Sequence, residues 1–205
     1  RRLFQLEVEG LERLPLDRPF VLTPNHHSYL DAFVLGAALP QGLLRRTYWA
    51  GSADIAFANP LARAFSRIAQ AVPVGGRNTG MGRDSLAFGA AILRRRRNLV
   101  WSPEGWVSPT GELFPFRHGI GLLLHNVPAT VVPVWIDGTH RALPLGKALP
   151  RRAPVRVVFG APVASSELAA TGAGATPAER IAQALHERVA ALAHGCTRTF
   201  EATRG

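Results

Sequence analysis

The stretch PFVLTPNHHSYLDAFVLGAAL, Pro19 to Leu39, changes its hydrophobic period half-way along. PFVLT is a short apolar run bounded by proline and asparagine, which reads as a buried strand. SYLDAFVLGAAL then sets apolar residues at helical spacing, with Ser28 or Asn25 available to cap its start. A strand running straight into a helix is the building unit of an α/β domain. The turn between the two holds His26, His27 and Asp31, an unusual concentration of ionisable groups between two apolar runs.

The same alternation continues to the C-terminus. RTYWA (46–50) reads as a strand, NPLARAFSRIAQ (59–70) as a helix with Pro60 suited to its first turn, and AVPV (71–74) as a short strand leading into the loop GGRNTG. GRDSLAFGAAILRRRR is a helix whose basic C-terminal end suits the helix dipole. NLVWS (98–102) is a buried strand, followed by the turn-rich PEGWVSPTGELFPFRHG and a short helix, IGLLLHN. ATVVPVWIDG and APVRVVFGAPV are strands, and a final amphipathic helix covers about residues 176–194. The expectation is one α/β domain over residues 1–205, with a mostly parallel sheet flanked by helices. Such sheets place their chemistry in loops beyond the carboxyl ends of strands, where the His26 turn and the PEG loop both fall.

Composition bounds the remainder. With 205 residues and 47% hydrophobic content, the chain supports one full core. The lone Cys196 has no disulfide partner in the chain and no neighbouring base, which fits an inert thiol in a reducing compartment. Met81 is the only methionine, so the expectation is a processed product or a segment of something longer, with room for an N-terminal anchor or a fused partner domain outside it. No uncharged apolar run approaches the roughly 18 residues of a membrane span. The net charge of +10 is almost entirely arginine, with Lys147 the only lysine. A nucleotide-composition bias toward arginine and alanine codons is the bland reading of that charge. An anionic membrane surface, an acidic carrier protein or nucleic acid are the functional readings. The run Arg94–Arg97 reads as a solvated helix end, and against an anionic membrane surface it would contribute roughly 1 kcal/mol per residue.

Five residues along one helix rotate a side chain by roughly 500°, about 140° off the starting face. His26 and Asp31 therefore meet only if His26 sits in the turn and Asp31 reaches back from the first helical turn. A carboxylate on one imidazole nitrogen fixes the tautomer and frees the other nitrogen to take a proton. The alternatives are a simple helix cap and a metal site on His26, His27 and Asp31. The metal site lacks further ligands at usable spacing, since His118, His125 and His140 are scattered. No G-x-S-x-G elbow is present to support a serine hydrolase.

NHHSYLD resembles the N-H-x-S-x-x-D form of the H-x4-D block of glycerolipid acyltransferases, the lysophosphatidic acid acyltransferase-like family. Further blocks follow in that family's order over about residues 19–163. NPLARAFSRIAQAVPVGGR is similar to the second block and ends in Arg77. WSPEGWVSPTGELFPFRHGIGLLL resembles the third, with Glu104, Gly105 and the Phe116, Arg117, His118, Gly119 element. ATVVPVWIDGTHRALP resembles the fourth, an apolar strand containing Pro133.

The resemblance implies a membrane-associated enzyme of phospholipid biosynthesis. It would pass an acyl group from acyl-CoA or acyl carrier protein to a lysophosphatidic acid or related lysophospholipid, with no metal, cofactor or covalent intermediate. It assigns His26 as general base and Asp31 as its orienting partner. Arg77 and Arg117 become contacts for the acceptor phosphate, and Glu104 and Gly105 lie beside the acceptor. A peripheral position at the cytoplasmic face of the membrane follows from the same likeness. The chain departs from the pattern at Trp106 and Val107, where the family usually has Thr-Arg. That favours, as an alternative acceptor, a lysophospholipid whose phosphate is already a diester.

Two other readings compete. A catalytically degenerate domain with a regulatory or binding role is motivated by the altered third block. A nucleic-acid-binding module is motivated by charge, but the aromatics cluster in strands and in the LFPF turn instead of interleaving with arginines. Nucleic acid is therefore not an expected partner. His27, His125, His140, His186 and His194 receive no role.

Overall fold

The computed structural model describes residues 4–52, 70–74, 83–147 and 149–202. The helix expected over 59–70 and the loop carrying Arg77 lie outside these residues, apart from Gln70, which is in a turn. The strands are β1 (Phe4–Glu9), β2 (Phe20–Pro24), β3 (Thr47–Ser52), β4 (Ala71–Val74), β5 (Asn98–Val100), β6 (Thr130–Asp137), β7 (Ala153–Phe159) and β8 (Val163–Ala164). The helices among the described residues are α1 (Asp31–Ala38), α2 (Gln41–Leu44), α3 (Arg83–Arg94), α4 (Gly119–Asn126), α5 (Thr139–Ala142), α6 (Ser165–Thr171) and α7 (Pro177–Ala202).

The sheet runs β1-β7-β6-β2-β5-β3-β4, with β8 also paired to β6. Its centre, from β6 through β2, β5 and β3 to β4, is parallel throughout. Strand β7 returns antiparallel to β6, and β1 then pairs parallel with β7. The fold is thus α/β with a mostly parallel sheet.

Successive strand residues point to opposite faces, and the core divides accordingly. Val21, Leu99 and Val131 face Ile120, Leu123, Leu124, Ile181 and Leu185 of α4 and α7. Phe20, Leu22, Val100, Val132, Val134 and Ile136 face Val34 and Leu35 of α1. Because both faces are covered, these strands read as continuous apolar runs.

Pro133 sits inside a central strand, where its missing N–H would ordinarily break a ladder. It is tolerated because β6 changes partner there. Residues 130–131 pair with β8 and residues 134–137 with β7. Gly160, between those two strands, donates its N–H to the Pro133 carbonyl at 2.8 Å. A Cβ on Gly160 would stand 2.8 Å from the proline ring, so glycine is what allows this crossing.

All five parallel strands end at one rim of the sheet. The His26 turn follows β2 and the PEG loop follows β5, which places them side by side. The Arg94–Arg97 run precedes β5, and Arg45 and Arg46 precede β3. These exposed arginines meet at the opposite rim, where Asn98 N–H donates to the Arg46 carbonyl at 2.9 Å. The arginine run is therefore not beside His26.

Candidate active site

The site begins where β2 stops. Asn25 extends the β2–β6 ladder with its side chain. Its Oδ1 accepts the Ile136 N–H at 2.7 Å and its Nδ2 donates to the Ile136 carbonyl at 2.9 Å. A carboxamide carries the same donor and acceptor as a peptide, so the main chain can leave the sheet without orphaning its neighbour. His26 is the first residue past that junction.

Asp31, the first residue of α1, reaches back to it. Its Oδ2 accepts three N–H groups, from His26 Nδ1 at 2.8 Å, His27 N at 2.7 Å and Ser28 N at 2.9 Å. A carboxylate at a helix N-terminus is also electrostatically favoured. The expected cap by Asn25 or Ser28 is not made. Asn25 is committed to β6, and Ser28 Oγ donates to the Leu143 carbonyl at 2.7 Å while accepting the Leu30 N–H. The Asp31 side chain is 4% exposed and that of His26 25%. Since the carboxylate only accepts, Nδ1 of His26 carries the proton, and Nε2 of the neutral ring presents a lone pair.

The PEG loop clamps the main chain of His26 from two sides. Glu104 Oε1 accepts the His26 N–H at 2.6 Å, and Ser108 N–H donates to the His26 carbonyl at 2.8 Å. The second Glu104 oxygen accepts the Phe114 N–H at 2.8 Å. Both oxygens are therefore spent on backbone. Burial pushes the Glu104 carboxyl up to about 7, against the two N–H groups that favour its ionised form.

Gly105 has φ of +74°, and a Cβ there would lie 2.8 Å from Cδ and Nε of Arg117. Its bare backbone lets the arginine lie across the loop, where Arg117 Nε donates to the Glu104 carbonyl at 3.1 Å. Val107, at the position where the resemblance puts an arginine, is buried in the loop, whereas Trp106 is 45% exposed. Tyr29 and Phe33 are also exposed, the first three residues past His26 and the second in the first turn of α1. Arg77 is outside the described residues. Among the described residues, no group of three His, Cys, Asp or Glu is placed to hold a metal ion.

His27, assigned no role in the sequence, is 3% exposed and lies inside the site. Its Nδ1 accepts from Asn25 Nδ2 at 3.1 Å, and its ring meets Trp135 edge-on with centroids 5.2 Å apart. Burial lowers its pKa, so it is a neutral imidazole. The only hint in the sequence was its place between His26 and Ser28.

The family model described as Acyltransferase matches residues 5–137. The 1-acyl-sn-glycerol-3-phosphate acyltransferase BAT2, chloroplastic, of Brassica napus is 26% identical over 166 residues, covering 80% of this chain and 46% of that protein. The 1-acyl-sn-glycerol-3-phosphate acyltransferase alpha of Homo sapiens is 27% identical over 135 residues, covering 63% and 44%. The chain thus spans about half the length of these relatives. Among solved structures, the 1-acyl-sn-glycerophosphate (LPA) acyltransferase PlsC of Thermotoga maritima superposes with a TM-score of 0.62 at 23% identity, covering 78% of this chain and 61% of that one. Fold, ordered motifs and family model agree, and the chain belongs to the glycerolipid acyltransferase family.

Proposed function

We propose that this domain transfers a fatty acyl group from an acyl thioester, acyl-CoA or acyl carrier protein, to the free hydroxyl of a lysophosphatidic acid or a related lysophospholipid. The observation that carries this reading is the 2.8 Å contact between His26 Nδ1 and a buried Asp31, which leaves Nε2 as the acceptor nitrogen of the ring. In the proposed scheme Nε2 takes the hydroxyl proton as the oxygen attacks the thioester carbonyl. The tetrahedral adduct then expels the thiolate, which recovers the proton from the imidazolium. Asp31 stabilises the imidazolium between those two moments. Such a base is worth about 10²–10⁴ in rate. The scheme uses neither metal nor cofactor.

Arg117 contributes a guanidinium for the acceptor phosphate, and we assign the same role to Arg77 from the motif alone. Glu104 and Gly105 work by holding the loop: Glu104 fixes the backbone of His26, and Gly105 seats Arg117. The apolar Trp106 and the buried Val107 favour a phosphodiester acceptor over a monoester, because a second cationic contact is missing from this loop. We place the domain at a membrane surface, on the cytoplasmic side, with Tyr29, Phe33 and Trp106 toward the lipid. No helix among the described residues is long and apolar enough to cross a membrane.

The test is an acceptor panel with one acyl-CoA and with acyl carrier protein, read by mass spectrometry of the products. Thioester cleavage that depends on a lysophospholipid and is lost in a folded His26→Ala variant supports the scheme. Turnover retained in that variant refutes the base assignment. No product with any acceptor supports a degenerate domain instead.

A further inference from the structure

We infer that His27, Thr139 and His140 enclose, with Oδ1 of Asp31, a small polar pocket behind the His26–Asp31 pair, which takes internal water and through which His27 positions the aspartate. The proposal rests on the catalytic reading of that pair.

Four buried side-chain atoms among the described residues have no protein partner, namely His27 Nε2, Asp31 Oδ1, Thr139 Oγ1 and His140 Nδ1. Each such atom gives up the hydrogen bonds it makes to water in the unfolded chain unless something replaces them. They are not scattered. His27 and Asp31 follow β2, whereas Thr139 and His140 follow β6, its neighbour in the sheet. Direct contacts close the gap between them. Ser28 Oγ bonds the Leu143 carbonyl just past α5. The His140 ring packs on Gly111, where a Cβ would stand 2.9 Å from it. Gly111 N–H donates to Ser108 Oγ, and Ser108 N–H donates to the His26 carbonyl. Asp31 and His140 both act electrostatically on His27.

Donors and acceptors in this group are complementary. The Asn25 amide is fixed by Ile136, so it is the NH₂ that meets His27 Nδ1. The His27 proton therefore sits on Nε2, the unpartnered nitrogen, which is a donor. Asp31 Oδ1 is an acceptor, and the Thr139 hydroxyl is both. A water molecule with two to four such partners satisfies the set. A cation does not, because a donor N–H is turned inward. The consequence for the reaction is orientation. All three direct N–H bonds of Asp31 fall on Oδ2, so the pocket is what restrains its other oxygen and the plane in which it meets His26.

The experiment compares His27→Gln, His27→Phe and Thr139→Val. Glutamine can still accept from Asn25 and donate inward, whereas phenylalanine keeps only the packing on Trp135. We expect His27→Phe to lose about tenfold or more in kcat at nearly unchanged KM, with His27→Gln recovering most of it. Thr139→Val should lose less, and its effect should be non-additive with His27→Phe both in kcat and in unfolding free energy. Phenylalanine tolerated better than glutamine would show that only ring packing matters and would overturn the proposal. So would additive unfolding free energies, a measurement that needs no substrate and so separates this failure from failure of the acyl-transfer reading. Should His27→Phe not fold, the decision passes to an atomic-resolution crystal structure of the unaltered chain. Water bonded to both Asp31 Oδ1 and His27 Nε2 supports the pocket, and protein atoms filling that space refute it.

Discussion

Glu104 holds His26 by its main chain, accepting the histidine N–H on one carboxylate oxygen at 2.6 Å while the other oxygen takes Phe114 N–H at 2.8 Å. The acid that looks like a substrate ligand in the sequence is a strut between the two loops that make the site. A buried acid in that position leaves a trace in the pH dependence of stability. Its carboxyl is raised from 4.5 to about 7, so between those values the folded chain binds more protons than the unfolded one. Stability from this group is full below 4.5, falls as pH rises to about 7, and is flat beyond. The span corresponds to roughly 3 kcal/mol. Urea unfolding of wild type and Glu104→Gln at pH 4.5 and pH 8 should show the difference between them moving in favour of glutamine at the higher pH. A pH-independent difference would mean an ordinary carboxyl. The same variant should lower kcat, since its NH₂ must face one of the two backbone donors.

Asp31→Asn separates charge from geometry. Asparagine keeps a carbonyl oxygen for the N–H groups of His27 and Ser28 but offers no counter-charge to an imidazolium. The loss should fall on kcat by about 10²–10⁴, with KM little changed. A charge-assisted hydrogen bond contributes about 1.5–3 kcal/mol, so a modest drop in Tm is also expected. A variant with normal kcat would remove the aspartate from the mechanism.

Much of this was legible in the chain because single-residue chemistry carried it. Strand β2, the turn and α1 follow from a change of period around Asn25, and His26 with Asp31 can meet only across that change. Strand β1 carries a local signal, since Phe4, Leu6 and Val8 alternate with Gln5, Glu7 and Glu9, but its partner β7 is some 150 residues away and nothing local says where it pairs. The antiparallel return of β7 was hidden for a similar reason. The link from β6 to β7 contains α5 and reads like any crossover, so strand direction is settled only by packing. Long-range hydrogen bonds made the remaining difference. Nothing local says that Glu104 reaches His26, that Asn25 pairs with Ile136, or that His27 and His140 share one interior. Arg77 stays a motif-based assignment outside the described residues.

Gly105→Ala tests the seat of Arg117. At φ of +74° an added Cβ costs about 1–2 kcal/mol of backbone strain and would meet the arginine at 2.8 Å. With Glu104 still anchored by its two backbone donors, His26 should keep its place while the guanidinium is displaced. The expected result is a KM for phospholipid acceptor raised more than kcat is lowered. A fall in kcat alone would show that the loop, and not the phosphate contact, had been damaged.

Trp106→Ala tests the lipid-facing role of the loop apart from its chemistry. Trp106 is 45% exposed, and transferring a Trp-sized surface of that extent from water to a lipid interface is worth roughly 2–3 kcal/mol, or about 30- to 150-fold in partitioning. Sedimentation with phosphatidylcholine vesicles should weaken by that factor. Turnover of a short-chain lysophospholipid below its micellar concentration should stay close to wild type, because no atom of the His26–Asp31–Glu104 assembly touches the indole through a described hydrogen bond. Equal loss in both assays would place Trp106 against the acceptor itself, and vesicle binding unchanged would move the membrane contact to another part of the surface.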